Sequence, residues 1–95
     1  MIAGGGVAAA RKANLMVRAE CAVTIIAPTL NTDLSILASE GRLVHETGPL
    51  TAVNLAGCVI AVGASEDPAV NEQLHKFATE ERIPVNIVDR PELCD

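Results

Sequence analysis

Aromatic side chains are almost missing from this chain: its 95 residues include one Phe, no Tyr and no Trp. A base-stacking platform for single-stranded nucleic acid therefore has nothing to be built from. Positive charge is scarce as well. Seven Lys and Arg face twelve Asp and Glu, a net charge of −5, so the clustered basic footprint of a nucleic-acid binder is lacking. No apolar run reaches the ~20 residues needed to span a bilayer. The N-terminus shows no basic segment followed by an apolar core and a cleavage site. These absences predict no nucleic-acid partner, no membrane and, by default, a cytoplasmic location. The three cysteines, Cys21, Cys58 and Cys94, are odd in number, widely spaced and form no C-x-x-C pair. That excludes a disulfide framework and predicts reduced thiols and no metal site. Cys21 and Cys58 adjoin apolar strands and are expected to be buried as small hydrophobes.

What the chain does have is 49% hydrophobic residues, almost all aliphatic. At this length it forms one domain, residues 1–95, and buries only about 60–65% of its unfolded surface. A core of Ala, Val, Ile and Leu suits a parallel sheet covered by helices on both faces. The segments alternate accordingly. Ala22–Ala27 reads as a continuous apolar strand closed by Pro28. Asp33–Glu40 reads as a helix stopped by Gly41. Arg42–Glu46 is a short edge strand, with His45 at its surface. Leu50–Leu55 forms a short helix or turn, and Cys58–Val62 a buried strand. Asp67-Pro68 opens a helix, with Asp67 as N-cap and Pro68 in the first turn. Val70, Leu74 and Phe77 mark its apolar face, and Pro84–Val88 is the last strand.

The feature with chemical content lies at the start. Met1–Ala3 is a strand stub that runs into Gly4-Gly5-Gly6-Val7-Ala8-Ala9, a G-x-G-x-x-A turn, and then a helix. Gly4 permits the sharp turn off the strand. Gly6, with no Cβ, allows a diphosphate to approach the main chain, and Ala9 allows close helix–sheet packing. The helix then presents free N–H groups and its positive dipole end to the phosphates. The predicted fold is a Rossmann-like three-layer α/β domain with a five-stranded parallel sheet, order 3-2-1-4-5. Its ligand belongs at the carboxyl ends of the strands, where the loops Gly4–Ala9, Gly63–Asp67 and the segment from Asp89 converge. One expected feature is missing: the second strand ends in Ile26-Ala27-Pro28-Thr29, with no acid for the adenosine ribose and no Arg for a 2′-phosphate.

That departure, with four ordered segments, carries a resemblance. The segments are Gly4–Ala13, Val23–Pro28, Ala61–Asn71 and Ile83–Asp95. The last, with V-N-I-V-D followed by P-E-L-C-D, is the most specific. Together they resemble the NAD-binding part of the siroheme synthase N-terminal domain, the precorrin-2 dehydrogenase/sirohydrochlorin ferrochelatase family, over essentially the whole chain. The resemblance implies NAD as cofactor and oxidation of precorrin-2 to sirohydrochlorin, joined in many members by insertion of ferrous iron. It implies nucleotide contacts from Gly4, Gly5, Gly6, Val7, Ala8, Pro28 and Thr29, and a catalytic carboxylate at Asp89. A carboxylate there can accept a proton and transiently hold a cation. Ser65 and its neighbour Glu66, in the loop facing the cleft, are candidates for a cofactor contact, with helix capping as the competing account.

Family members have a longer first strand and continue into a dimerisation and substrate region, so the chain reads as the cofactor half of a homodimeric enzyme. A non-catalytic nucleotide-binding or structural module is the alternative.

Overall fold

The computed structural model describes residues 1–88. In chain order the elements are β1 (Ile2–Ala3), α1 (Val7–Arg18), β2 (Thr24–Ile26), α2 (Thr32–Ser39), β3 (Val44–Glu46), a 3-10 turn (Ala52–Leu55), β4 (Ala61–Gly63), α3 (Pro68–Glu80) and β5 (Val85–Ile87). The five strands form one sheet in the order β3-β2-β1-β4-β5. Every neighbouring pair is parallel. The expected fold and strand order are both present.

Alternation along the strands explains the continuous apolar runs. Ile2, Ile25 and Val62 point to one face, into a cluster with Ala9, Ala10, Ala13, Leu34 and Leu37 of α1 and α2. Ala3, Ile26, Ala61, Val85 and Ile87 point to the other face, into a cluster with Leu55, Leu74 and Ala78. Both faces are buried, so neither can be polar. The alanines of α1 let that helix lie close to the sheet. Arg11 and Arg18 are exposed, as their place off that face predicts.

Helix ends follow local chemistry. Asn31 caps α2 by accepting the Leu34 N–H at 3.0 Å. Asp67 caps α3, its Oδ1 accepting the Ala69 N–H at 3.0 Å, and Pro68 takes the first turn. Gly41 ends α2 with φ +74°. Glu20 and Arg82 take the same left-handed conformation after α1 and α3, at φ 62° and 58°, where glycine is the residue without steric cost.

Two expectations fail. Cys58–Ile60 is not strand: β4 begins at Ala61, level with Val85 of β5, and Val62 pairs Ile2 of β1. A strand extends only where a neighbour supplies rungs, so Val59 is left 85% exposed. Cys21, just after α1, is exposed, and Cys58 is half-buried with its thiol donating to the Asn54 carbonyl at 3.4 Å. Neither is the buried hydrophobe that adjacency to a strand suggests. No helix among the described residues is long and apolar enough to cross a membrane.

Candidate functional site

At the carboxyl ends of the strands lies a cleft of about 500 Å³. The β1–α1 turn forms its floor, with Gly4, Gly5 and Gly6. The end of β2 forms one wall, with Ile26, Ala27, Pro28 and Thr29. The segment after β3, Thr47 to Leu50, forms a second wall. Ser65, Glu66, Val70 and Gln73, from the β4–α3 loop and the start of α3, close the far side.

The three glycines have three different reasons. Gly4 sits at φ +129°, and a Cβ there would lie 2.5 Å from the Ala64 carbonyl oxygen. Its N–H donates to Ile26 and the neighbouring Ala3 carbonyl accepts from Ala64, which fixes the turn between β2 and β4. Gly5 leaves room for a neighbouring backbone: a Cβ there would collide with the Thr29 carbonyl oxygen. Its own carbonyl accepts the Asn31 N–H at 2.8 Å. The β1–α1 turn and the β2–α2 loop are thus interlocked. Gly6 alone is open. The nearest atom to its absent Cβ is Glu66 Oε1, at 3.5 Å. Gly6 is also the N-cap of α1, where it offers no side-chain acceptor, and the first turn of the helix carries no acid. Among the described residues no side chain caps the leading N–H groups of α1, which leaves an electropositive helix end facing the cleft.

The β4–α3 loop is held by one amide. Asn71, buried in α3, accepts the Ser65 N–H through Oδ1 at 3.0 Å and donates to the Ser65 carbonyl through Nδ2 at 2.9 Å. Ser65 Oγ accepts the Asp67 N–H at 3.1 Å. Ser65 and Asp67 therefore do the capping, and Glu66 is left over. The β2 wall is held by His45 of β3, whose Nε2 lies 2.7 Å from the Ala27 carbonyl oxygen. His45 is half-buried rather than a plain surface residue. Pro28 cannot donate to the ladder, and the imidazole occupies the last carbonyl before it.

The cleft brings together Gly4, Gly5, Gly6, Pro28, Thr29 and Ser65. Val7 and Ala8 are not among its lining residues: Val7 is 64% exposed and Ala8 packs against the α1–α2 cluster. Asp89 lies outside the described residues. The chain is described up to Val88, whose N–H donates to the Gly63 carbonyl at the carboxyl end of β4. Sequence reasoning missed Thr47, Pro49, Leu50, Val70 and Gln73. The signal was the strand order, because pairing β3 with β2 brings the segment after Glu46 to the same end.

Comparison with known proteins agrees with the fold. A family described as "Putative NAD(P)-binding" matches residues 1–95. The siroheme synthase of Methylobacillus flagellatus is 37% identical over 94 residues, covering 99% of this chain and 20% of that protein. The siroheme synthase of Nitrosospira multiformis is 39% identical over 98 residues, covering 99% of this chain and 21% of that protein. That of Psychrobacter arcticus is 40% identical over 97 residues, covering all of this chain and 17% of that protein. The chain thus spans about a fifth of the length of these relatives. Among solved structures, SirC, precorrin-2 dehydrogenase, superposes with a TM-score of 0.76 at 26% identity, over 92% of this chain and 42% of that one.

Proposed function

The chain belongs to the NAD(P)-binding family, and from that membership we propose that it is the nucleotide-binding part of an NAD-dependent precorrin-2 dehydrogenase serving siroheme biosynthesis. The observation that carries this reading is the backbone-free approach to Gly6, where only the movable Glu66 carboxylate stands near the place of a Cβ, at the start of α1 and inside the cleft. A diphosphate fits there for two physical reasons: no Cβ blocks the main chain, and the helix end favours negative charge. Gly4, Gly5 and Gly6 would hold the diphosphate. Pro28 and Thr29 would shape the adenosine pocket through backbone and hydroxyl contacts, and Ser65 would contact the cofactor from the far side. Val7 and Ala8 would contribute main-chain N–H groups rather than side chains. No Lys or Arg is among the described cleft residues. A 2′-phosphate would find no cation among those described residues, which favours NAD over NADP.

When bound, NAD⁺ supplies the acceptor for the hydride removed in converting precorrin-2 to sirohydrochlorin. The chain's own part in that step is acid–base. We assign the proton to Asp89, on the family resemblance and its position two residues past β5. Ferrous iron, where inserted, is a substrate rather than a resident metal. Residues 1–95 form one domain in this reading.

Titration with NAD⁺, followed by an assay of NADH formation with precorrin-2, tests the proposal. In a form of the protein that turns over, Asp89→Ala should lower the rate roughly 10²–10⁴-fold and leave NAD⁺ affinity nearly unchanged. Normal turnover by that variant would move the role elsewhere. NAD⁺ binding with no turnover in any form would favour the non-catalytic module.

A further inference from the structure

The described lining of the cleft contains one ionisable side chain, Glu66. Capping does not occupy it, since Ser65 and Asp67 meet the needs of α3. It makes no hydrogen bond or ion pair among the described residues, and it is exposed. Yet its Oε1 lies 3.5 Å from the position a Gly6 Cβ would take, over the uncapped end of α1. That is the space a diphosphate needs. A carboxylate and a diphosphate both gain from the helix end, and they repel one another.

We propose that Glu66 is a built-in competitor for the diphosphate position, an internal anion that sets the affinity of the glycine turn for nucleotides. The inference rests on the nucleotide reading above. In the free protein the carboxylate lies over Gly6. A dinucleotide must turn it aside and then bind beside a like charge that no Lys or Arg among the described cleft residues offsets. The penalty falls on ligands that carry a diphosphate and spares those that do not. Weak NAD⁺ binding would then be a designed property of the site, set by one side chain on a loop that Asn71 holds in place.

The test is calorimetric titration of NAD⁺, ADP and adenosine against the unmodified chain, Glu66→Gln and Glu66→Asp. Glu66→Gln should bind NAD⁺ and ADP roughly three- to tenfold more tightly, as expected for removing one exposed like charge beside a diphosphate. Adenosine affinity should change by less than about twofold, and the gain should shrink at high salt. Glu66→Asp, one methylene shorter, should fall between. The thermal midpoint should not move. Equal affinities would overturn the inference and leave the nucleotide reading standing. Weaker NAD⁺ binding by Glu66→Gln would also overturn it, making Glu66 an acceptor for ribose hydroxyls. Failure of all three proteins to bind any of the ligands would sink the nucleotide reading, and the inference with it.

Discussion

Asn71 holds both ends of residue 65: its amide oxygen takes the Ser65 N–H at 3.0 Å and its amide nitrogen gives to the Ser65 carbonyl at 2.9 Å. The side chain stands in for a strand at the point where β4 has ended. Gly63 is part of the same arrangement, since a Cβ there would lie 3.1 Å from Asn71 Oδ1 and 2.5 Å from Ile87 Cδ1. Asn71→Ala should leave the Ser65 peptide without its partners, at a cost of about 1–3 kcal/mol in urea denaturation. Asn71→Asp keeps the acceptor and loses the donor, so it should recover part of that loss. The Ser65–Glu66 loop should loosen in both variants, seen as faster amide exchange at Ser65.

Gly5 and Gly6 are adjacent and should respond oppositely. Gly5→Ala drives a Cβ into the Thr29 carbonyl, a backbone atom that cannot rotate away. Destabilisation of about 1–3 kcal/mol is expected, as for other overpacked sites. Gly6→Val meets no backbone and only the movable tip of Glu66, so its cost should be limited to that of a poorer N-cap, up to about 1 kcal/mol. NAD⁺ affinity should nonetheless fall at least tenfold, about 1.4 kcal/mol, because the branched side chain would fill the proposed diphosphate path. Denaturation and calorimetry on the same two variants separate the two effects. Unchanged affinity in Gly6→Val would remove the turn from the binding site.

His45→Ala should loosen the β2 wall by taking the partner from the Ala27 carbonyl. The loss should be about 0.5–1.5 kcal/mol in stability, since the site is half-buried and water can reach the carbonyl. His45→Gln keeps a donor and should recover part of it. If the wall shapes the adenosine pocket, His45→Ala should weaken adenosine and NAD⁺ by the same factor. An effect on NAD⁺ alone would argue against that role.

Arg82 follows α3 at φ 58°, and its N–H closes the helix on the Thr79 carbonyl. Arg82→Gly relieves the left-handed strain and should raise stability by about 0.5–1 kcal/mol. For a domain of this size that corresponds to roughly 2–8 °C in thermal midpoint. A lower midpoint would show that the Arg82 side chain stabilises the fold by more than the left-handed backbone costs.

Much of the fold was legible in the residues because local chemistry and tertiary structure agree. Asp67-Pro68 encodes a helix start in two residues, and Gly4 with Gly6 encodes a turn whose purpose is evident. The aliphatic runs at Ile25-Ile26 and Ala61-Val62 require burial on both faces, which fixes a parallel sheet. What the residues could not reveal depends on distant parts of the chain. Gly5 looks like the spare glycine of the motif until Thr29 is seen against it. His45 looks like a surface residue until Ala27 lies beside it. Cys58–Ile60 has every property of a strand except neighbours to pair with. The wall from Thr47 to Leu50 carries only the Gly48-Pro49 landmark, with no sign of a binding role, and enters the cleft because β3 lies beside β2.

The Gly5–Thr29 interlock has a kinetic meaning. The floor of the cleft and the β2 wall share a backbone contact and the Asn31–Gly5 hydrogen bond, so neither can open without the other. With these two segments tied, ligand entry is expected to turn aside only side chains such as Glu66, in picoseconds to nanoseconds. Association should therefore have no slow isomerisation: stopped-flow traces with NAD⁺ should be single exponentials whose rate rises linearly with ligand concentration, without a plateau. Gly5→Ala, by prising the two segments apart, should introduce one.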